Sequence, residues 1–525
     1  MSQFTQVPMR GIPTNTFDLS HHVNLTCDGG FIVPVKCVEA LPNDTFTYNN
    51  KTLVRLTPMV SPAMAKMDVT MITGFVPIRL IWPNSEKFFA NPVPDENTPV
   101  APYFDGLDVG IGSLGDYLGM PTRSFKTDAG VTQNQYTTLN GVSALPHAAY
   151  QKFYNDWFRD ENLVNNGEPT FTPLTDGQNV FSRYSQLRRR AWRHDYFTSN
   201  LPFAQKGDAV EIPLGSFAPI TLNAQPGTQP KWQGFQNVPM SSTNLQANWP
   251  GGTDSAPLIT GPGGGWIDPN GSLRADLSSA TAVTINTLRW AEKLQVFLEK
   301  NARGGTRYTE IVRQHFGQIS SDARLQRAEF LGFSVNPIVI SEVLQTSPSD
   351  PSTTPLGEMA GHGISYGGSK YVKYHAEEHG FFITMMSIRP KSAYMQGLSR
   401  MFSRKSPLDY AWPTFAQLGE QETKRKEIFY SGLPQDEQTF GYLPRYAEYR
   451  YEGDRVAGEM RTSYTHWHMT RIFNGAPFLN ESFINCQPTK RIFAVNSAGV
   501  HSYIISVSHD LKVRRALPKF GIPSL

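Results

Sequence analysis

An all-β barrel or sandwich with long inserted loops is the architecture the sequence predicts, on three observations. Short runs of β-branched and aromatic residues stand at both ends of the chain with a long interval between them. The 525 residues include 43 glycines and 39 prolines, together well above the roughly 12% of an average chain, so turns are abundant. Only two long stretches repeat apolar residues at helical spacing.

The strand candidates, in chain order, are residues 31–38 (FIVPVKCV), 69–82 (VTMITGFVPIRLIW), 381–388 (FFITMMSI), 491–495 (RIFAV) and 503–508 (YIISVS), each bounded by Gly, Pro, Asn or Asp. A sheet assembled from segments this far apart has high contact order and carries its middle as insertions. The first helix lies in LPHAAYQKFYNDWFRDENL, with Pro146 in its first turn and Ala149, Phe153, Trp157 and Phe158 on one face. The second starts after a Thr284 cap, shows Ile285, Leu288, Ala291, Leu294, Phe297 and Leu298 on one face, and ends at Gly304 and Gly305. A short helix over about residues 307–316 follows, before Gly317.

Residues 216–272 fit neither period. Seventeen of these 57 residues are Gly or Pro and only Lys231, Asp254 and Asp268 are charged, while Trp232, Phe235, Trp249 and Trp266 supply rings. A loop so long is functional or disordered, and its low charge with four aromatics favours an ordered projection.

Composition excludes several classes. Charged residues make up 18% and aromatics 12%, the reverse of a disordered chain. A net charge of +3 is too small for a free-standing nucleic-acid binder, so any polynucleotide contact must come from local clusters. Cys27, Cys37 and Cys486 are too few and scattered for a disulfide framework or a four-cysteine zinc site. The N-terminus has no secretory h-region, and no stretch nears 18 consecutive apolar residues, so a soluble, unexported product without membrane insertion is expected.

Three motifs suggest chemistry, and each lacks the context its chemistry requires. Gly110, Gly112 and Gly115 spell G-x-G-x-x-G, but Pro121 follows too soon for a dinucleotide-binding βαβ unit, so a glycine-rich connector is the better reading. His375, Glu378 and His379 form H-x-x-E-H in a strand-like setting, where the two imidazoles stand about 13 Å apart, too far to share a metal. Gly363, Ser365 and Gly367 give G-x-S-x-G flanked by further glycines, which reads as a loop. His466 and His468, like His21 and His22, have no neighbouring carboxylate or thiol to complete a metal site. No catalytic residue, cofactor or metal is therefore assigned.

Two basic clusters remain as candidate DNA-facing groups. Arg188, Arg189, Arg190 and Arg193 are interleaved with Trp192, Tyr196 and Phe197, rings on which bases would stack. Lys512, Arg514, Arg515 and Lys519 lie in LKVRRALPKFGIPSL, which reads as a basic tail suited to phosphate or an acidic neighbour. A soluble single-stranded-DNA-binding protein, and less favourably a metal-dependent hydrolase, are the alternatives these residues leave open.

Several blocks carry a family likeness. Residues 145–163, RHDYFTSNLPFAQKG (193–207), VTINTLRWAEKLQVFLEKNARGGTRYTEIVRQHFG (283–317), SDARLQRAEFLGF (321–333), WPTFAQLGEQ (412–421) and FGYLPRYAEYRY (440–451) closely resemble the major capsid proteins of Microviridae, specifically the gokushovirus group. The strand-like residues 17–82 and the C-terminal LPKFGIPSL match the usual order, and the departures fall mainly in residues 216–272 and around residues 344–368.

The resemblance implies an eight-stranded viral jelly-roll barrel with long inserted loops containing several α-helices. It also implies a structural protein that self-assembles into a T=1 icosahedral shell around circular single-stranded DNA, in virions assembled in a bacterial cytoplasm. On this reading, residues 1–82 form an N-terminal arm and first strands, and 83–215 inserted loops with helices. Residues 216–272 form a threefold protrusion for host attachment, with Trp232, Phe235, Trp249 and Trp266 as its aromatics. Residues 273–390 hold helices and further strands, 391–489 a long inserted region, and 490–525 the last strands and basic tail. The implied partners are other copies of the chain, the genome, a small basic packaging protein, minor virion proteins and a host surface receptor.

Overall fold

The computed structural model describes residues 14–90, 96, 98–164, 171–208, 210, 220–222, 231–233, 265–267, 273–275, 285–305, 307–344, 359–497 and 499–519. The chain forms two compact units, one of residues 1–204 with 301–525 and the other of residues 205–300.

The first unit is built on a ten-stranded sheet: β1 (Asn15–Asp18), β2 (His21–Cys27), β3 (Val33–Ala40), β4 (Thr45–Leu56), β5 (Met67–Pro77), β6 (Glu329–Leu344), β7 (Met359–Gly368), β8 (Val372–His375), β9 (Gly380–Pro390) and β10 (Tyr503–Arg515). The order across it is β1-β10-β4-β7-β6-β5-β9-β3, with β2 also pairing β10 and β8 also pairing β4. Eight positions are thus filled by ten strands, all pairs antiparallel. The long strand β6 pairs β5 through residues 329–338 and β7 through 339–344, joining the two halves of the curled sheet.

Side-chain alternation explains the core. One face of β5 and β9 (Met67, Val69, Met71, Met386, Ile388) meets Val54 and Leu56 of β4 and Tyr503, Ile505 and Val507 of β10 inside the curl. Phe46, Tyr48, Phe75, Phe382, Leu511 and Val513 extend that interior towards one end. The other face of β5 and β9 (Ile72, Val76, Phe381, Ile383, Met385) is covered by Tyr150, Phe153 and Tyr154 of helix α1 (Leu145–Trp157). Covered on both sides, β5 and β9 are buried almost throughout, which is why their sequences are near-continuous apolar runs. Each such side chain contributes about 1.5–3 kcal/mol.

Close docking of α1 needs Gly74. A Cβ there would overlap the Phe153 ring and lie 2.7 Å from the Glu329 carbonyl oxygen. Polar bonds fix the helix end: Trp157 Nε1 donates to the Ala328 carbonyl (2.8 Å) and the Ala328 N–H donates to buried Asp156 (3.0 Å).

Helix α2 (Ile285–Gly304) and helix α3 (Tyr308–Phe316) fall where the periodicity placed them, and Gly317 closes α3 at φ 69°. Thr284 lies outside the described residues. The expected apolar face of α2 is covered only in part: Ile285, Leu288 and Phe297 are largely exposed, while Ala291, Leu294 and Leu298 are half-buried.

Four expectations change. Residues 78–80 turn into a 3-10 helix instead of continuing the strand. RIFAV is not a strand: Ile492 and Phe493 are buried, but Arg491 bends the chain by donating to the carbonyls of Thr465, His468 and Thr470. The G-x-S-x-G segment is no loop but part of β7, where Ser365 pairs in register with Val54. The supposed tail is largely strand, because Leu511 and Val513 point into the core while Lys512 and Arg514 point out. Among the described residues, no helix is long and apolar enough to cross a membrane.

Candidate functional surfaces

The first basic cluster is built into the subunit. The Arg188 N–H donates to the Tyr150 hydroxyl (2.9 Å), and its guanidinium donates to Gln151 (2.7 Å) and lies over Tyr154. Arg189 stacks 3.9 Å from the Phe31 ring centroid and donates to the Cys486 carbonyl. Arg190 packs over Phe158, and burial, with Arg389 and Arg193 nearby, pushes its pKa down to about 9. Arg193 is exposed and ion-paired with Asp68. The expectation that the interleaved rings stack bases is corrected: Trp192 is buried under Arg471, Tyr196 donates to Glu427 (2.9 Å), and Phe197 packs on Tyr394. The spacing that suggested base stacking serves cation–π packing within one chain.

The second cluster divides. Arg515 donates to Asp44, which is almost fully buried, at 2.8 Å, and to the Glu39 carbonyl, so it closes the end of the sheet. Lys512, Arg514 and Lys519 are exposed, with Arg514 donating to Thr14 at 2.7 Å.

In the second unit, Ile220–Leu222 pairs antiparallel with Leu273–Ala275, and Lys231–Gln233 with Gly265–Ile267. Short ladders therefore occur where no period was legible, and they bring the two ends of the insertion side by side. Trp232 and Trp266 are direct partners on the inner ladder. Phe235 and Trp249 lie outside the described residues.

The chemical motifs are dispersed into structural roles. His375 ends β8 beside Thr45 (3.2 Å), Glu378 pairs with Arg79 (2.6 Å), and His379 stacks on Phe89 at 4.1 Å. The Gly112 N–H donates to Asp116 (2.7 Å) in a turn before the four-residue helix Leu114–Tyr117. His468 Nε2 donates to the Met460 carbonyl (2.7 Å). Among the described residues, no group of three or more His, Cys, Asp or Glu is placed to hold a metal ion.

The surface that sequence reasoning missed is apolar. Along residues 401–451, Met401, Phe402, Leu408, Tyr410, Trp412, Leu418, Tyr430, Leu433 and Tyr449 are all exposed. Three of these rings, Tyr410, Trp412 and Tyr449, are held in place. Arg404 lies over Tyr449 (4.4 Å) and Tyr410 (5.4 Å), and Trp412 Nε1 donates to the Pro407 carbonyl (2.8 Å). A second apolar row runs along the outer side of β6, where Phe333, Val335 and Val339 alternate outward, and Phe316 and Ile319 are exposed as well. Exposed apolar surface on this scale marks interaction sites, and fixed aromatics suit them because little freedom is lost on contact. The signal was present as a surplus of rings in 391–451, but the sequence does not say whether a ring is covered by its own chain or by a neighbour.

A family model described as the capsid protein (F protein) matches residues 5–525. A capsid protein VP1 of Bdellovibrio phage phiMH2K is 36% identical, covering 99% of this chain and 97% of its own. Capsid proteins VP1 of Chlamydia phage 1 and Spiroplasma virus 4 are 32% and 30% identical, covering 100% and 90% of this chain and 98% and 88% of their own.

Proposed function

Since the chain belongs to the capsid protein (F protein) family, of the gokushovirus type of Microviridae, it is a structural capsid protein, and we propose that its copies close into a T=1 icosahedral shell around circular single-stranded DNA. The observation that carries the assembly reading is the fixed, exposed aromatic surface of residues 401–451 with the outward apolar row of β6. The curled sheet is a rigid unit, and its inserted loops present the contact area through which symmetry-related copies meet.

The work is mechanical, not catalytic: the three motifs of enzymes are spent on a strand, a turn and a stacked imidazole. The exposed cations Arg193, Lys512, Arg514 and Lys519 face the genome or a small basic protein that accompanies it, through contacts that carry no sequence information. Residues 216–272 form a projection at each threefold axis that touches the host surface, with the Trp232–Trp266 ladder in its stalk. Minor virion proteins and a host receptor complete the set of partners. Expression of the full chain followed by electron microscopy tests the reading. Closed spherical particles are expected, and a protein that stays monomeric at high concentration would overturn it.

A further inference from the structure

We infer that the open seam of the curled sheet is an oxyanion site, built around Lys36, that takes a phosphate-class ligand. Strands β2 and β3 stand at the two ends of the sheet, and each pairs on one side only, β2 with β10 and β3 with β9. Between them lies a cavity of about 440 Å³, lined by His21, Lys36, Asp116 and His501 among others. That volume is within the range of small-ligand sites.

Lys36 is 4% exposed, and its ammonium has one polar neighbour among the described residues, His21 Nδ1 at 3.4 Å. That nitrogen is no acceptor. It lies 2.9 Å from the Leu19 carbonyl oxygen, which only accepts, so Nδ1 carries the proton and faces the ammonium with an N–H. The cation is thus buried without an acceptor, an expensive arrangement that a bound anion relieves.

The His509 ring lies 4.9 Å from that of His21, with the Tyr48 hydroxyl 2.8 Å from its Nδ1, and His501 also lines the cavity. Burial, Lys36, His21 and His22 together hold His509 far below the usual histidine range, at about 3. Asp116 is the carboxylate lining the cavity, and its Oδ2 is engaged by the Gly112 N–H at 2.7 Å. Cys37 and Tyr117 also line the cavity, and burial raises both, so they stay neutral at pH 7. A buried ammonium beside the free edges of two strands is the equipment of a phosphate site, in which lysine acts as a point charge. The same chemistry admits free phosphate and the phosphodiester of a nucleic acid. Only the second source rests on the shell reading.

The test is thermal melting of the full-length protein at pH 7 in sodium chloride, in sodium phosphate at equal ionic strength, and with a short oligothymidylate, with binding measured by calorimetry. Phosphate is expected to raise the wild-type midpoint by about 2 °C. K36M is expected to melt no lower than wild type in chloride, because an apolar stem replaces an unpaired charge, and to lose the phosphate effect. K36Q, which keeps a polar stem without the charge, is expected to bind at least tenfold more weakly and serves if K36M does not fold. Protection by phosphate alone assigns a free anion, and added protection by the oligonucleotide assigns a phosphodiester. No anion-specific rise in wild type, or an undiminished rise in both variants, overturns the inference. Particle formation, read separately by microscopy, reports on the shell and not on this site.

Discussion

Replacing Phe402 by serine separates assembly from folding. Phe402 sits in the 3-10 turn Arg400–Ser403 and is 67% exposed in the single chain. A phenylalanine buries about 150–250 Å² when fully covered, so roughly 100–170 Å² is left for a neighbouring copy to cover. At about 25 cal/mol per Å² this is worth about 3 kcal/mol per copy in the shell and nothing in the isolated subunit. Since 1.4 kcal/mol is tenfold, the protein concentration at which particles form is expected to rise about a hundredfold. Subunit stability is expected to change by less than about 0.5 kcal/mol. Sedimentation over a concentration series measures the first quantity, and denaturant melts of dissociated subunits measure the second. An unchanged assembly threshold, or a subunit weakened as much as its assembly, would refute the assignment of this surface to contacts between copies.

Three further outcomes are expected. G74A is expected to cost about 1–3 kcal/mol in denaturant melts, because the new methyl meets both the Phe153 ring and the Glu329 carbonyl, and a neutral G74A would contradict the packing described. R514E is expected to leave the melt near wild type and lower the DNA content of particles, whereas R515E sets a carboxylate against buried Asp44 and is expected to cost about 3–5 kcal/mol; R514E particles with a full genome would refute the genome-facing role. Replacing residues 216–272 by a short linker is expected to leave soluble subunits and particles but reduce attachment to host cells, since the flanking ladder brings the ends together; loss of all soluble protein would count against it.

Much of the sheet was legible because its strands are short apolar runs bounded by turn residues, continuous where both faces are covered, as in residues 381–388, and alternating where one face is, as in 503–508. Where legibility failed, another force had masked the pattern. In 511–515 the alternation of Leu511 and Val513 with Lys512 and Arg514 is intact, but the density of cations suggested a tail; the strand is fixed by the two buried side chains and by pairing to β1 and β4. In RIFAV, Ile492 and Phe493 are buried, but pairing stops at a single bridge to Met59, and the Arg491 guanidinium takes three carbonyls of residues 465–470. Arg188, Arg189 and Arg190 look like a phosphate-binding run in one dimension; in three, each faces an aromatic ring of its own subunit. The apolar surface of 401–451 was the least legible, because burial by another copy leaves no trace in a chain's own periodicity. Lys36 was equally hidden, a single cation in an apolar strand whose isolation appears only when the seam between β2 and β3 is seen.

Whether this chain builds a closed shell from its exposed loop surfaces is tested most directly by imaging purified full-length protein by electron microscopy. Uniform spherical particles of icosahedral symmetry, with a knob at each threefold axis, are the expected result. Dispersed monomers that bind single-stranded DNA without assembling would contradict it.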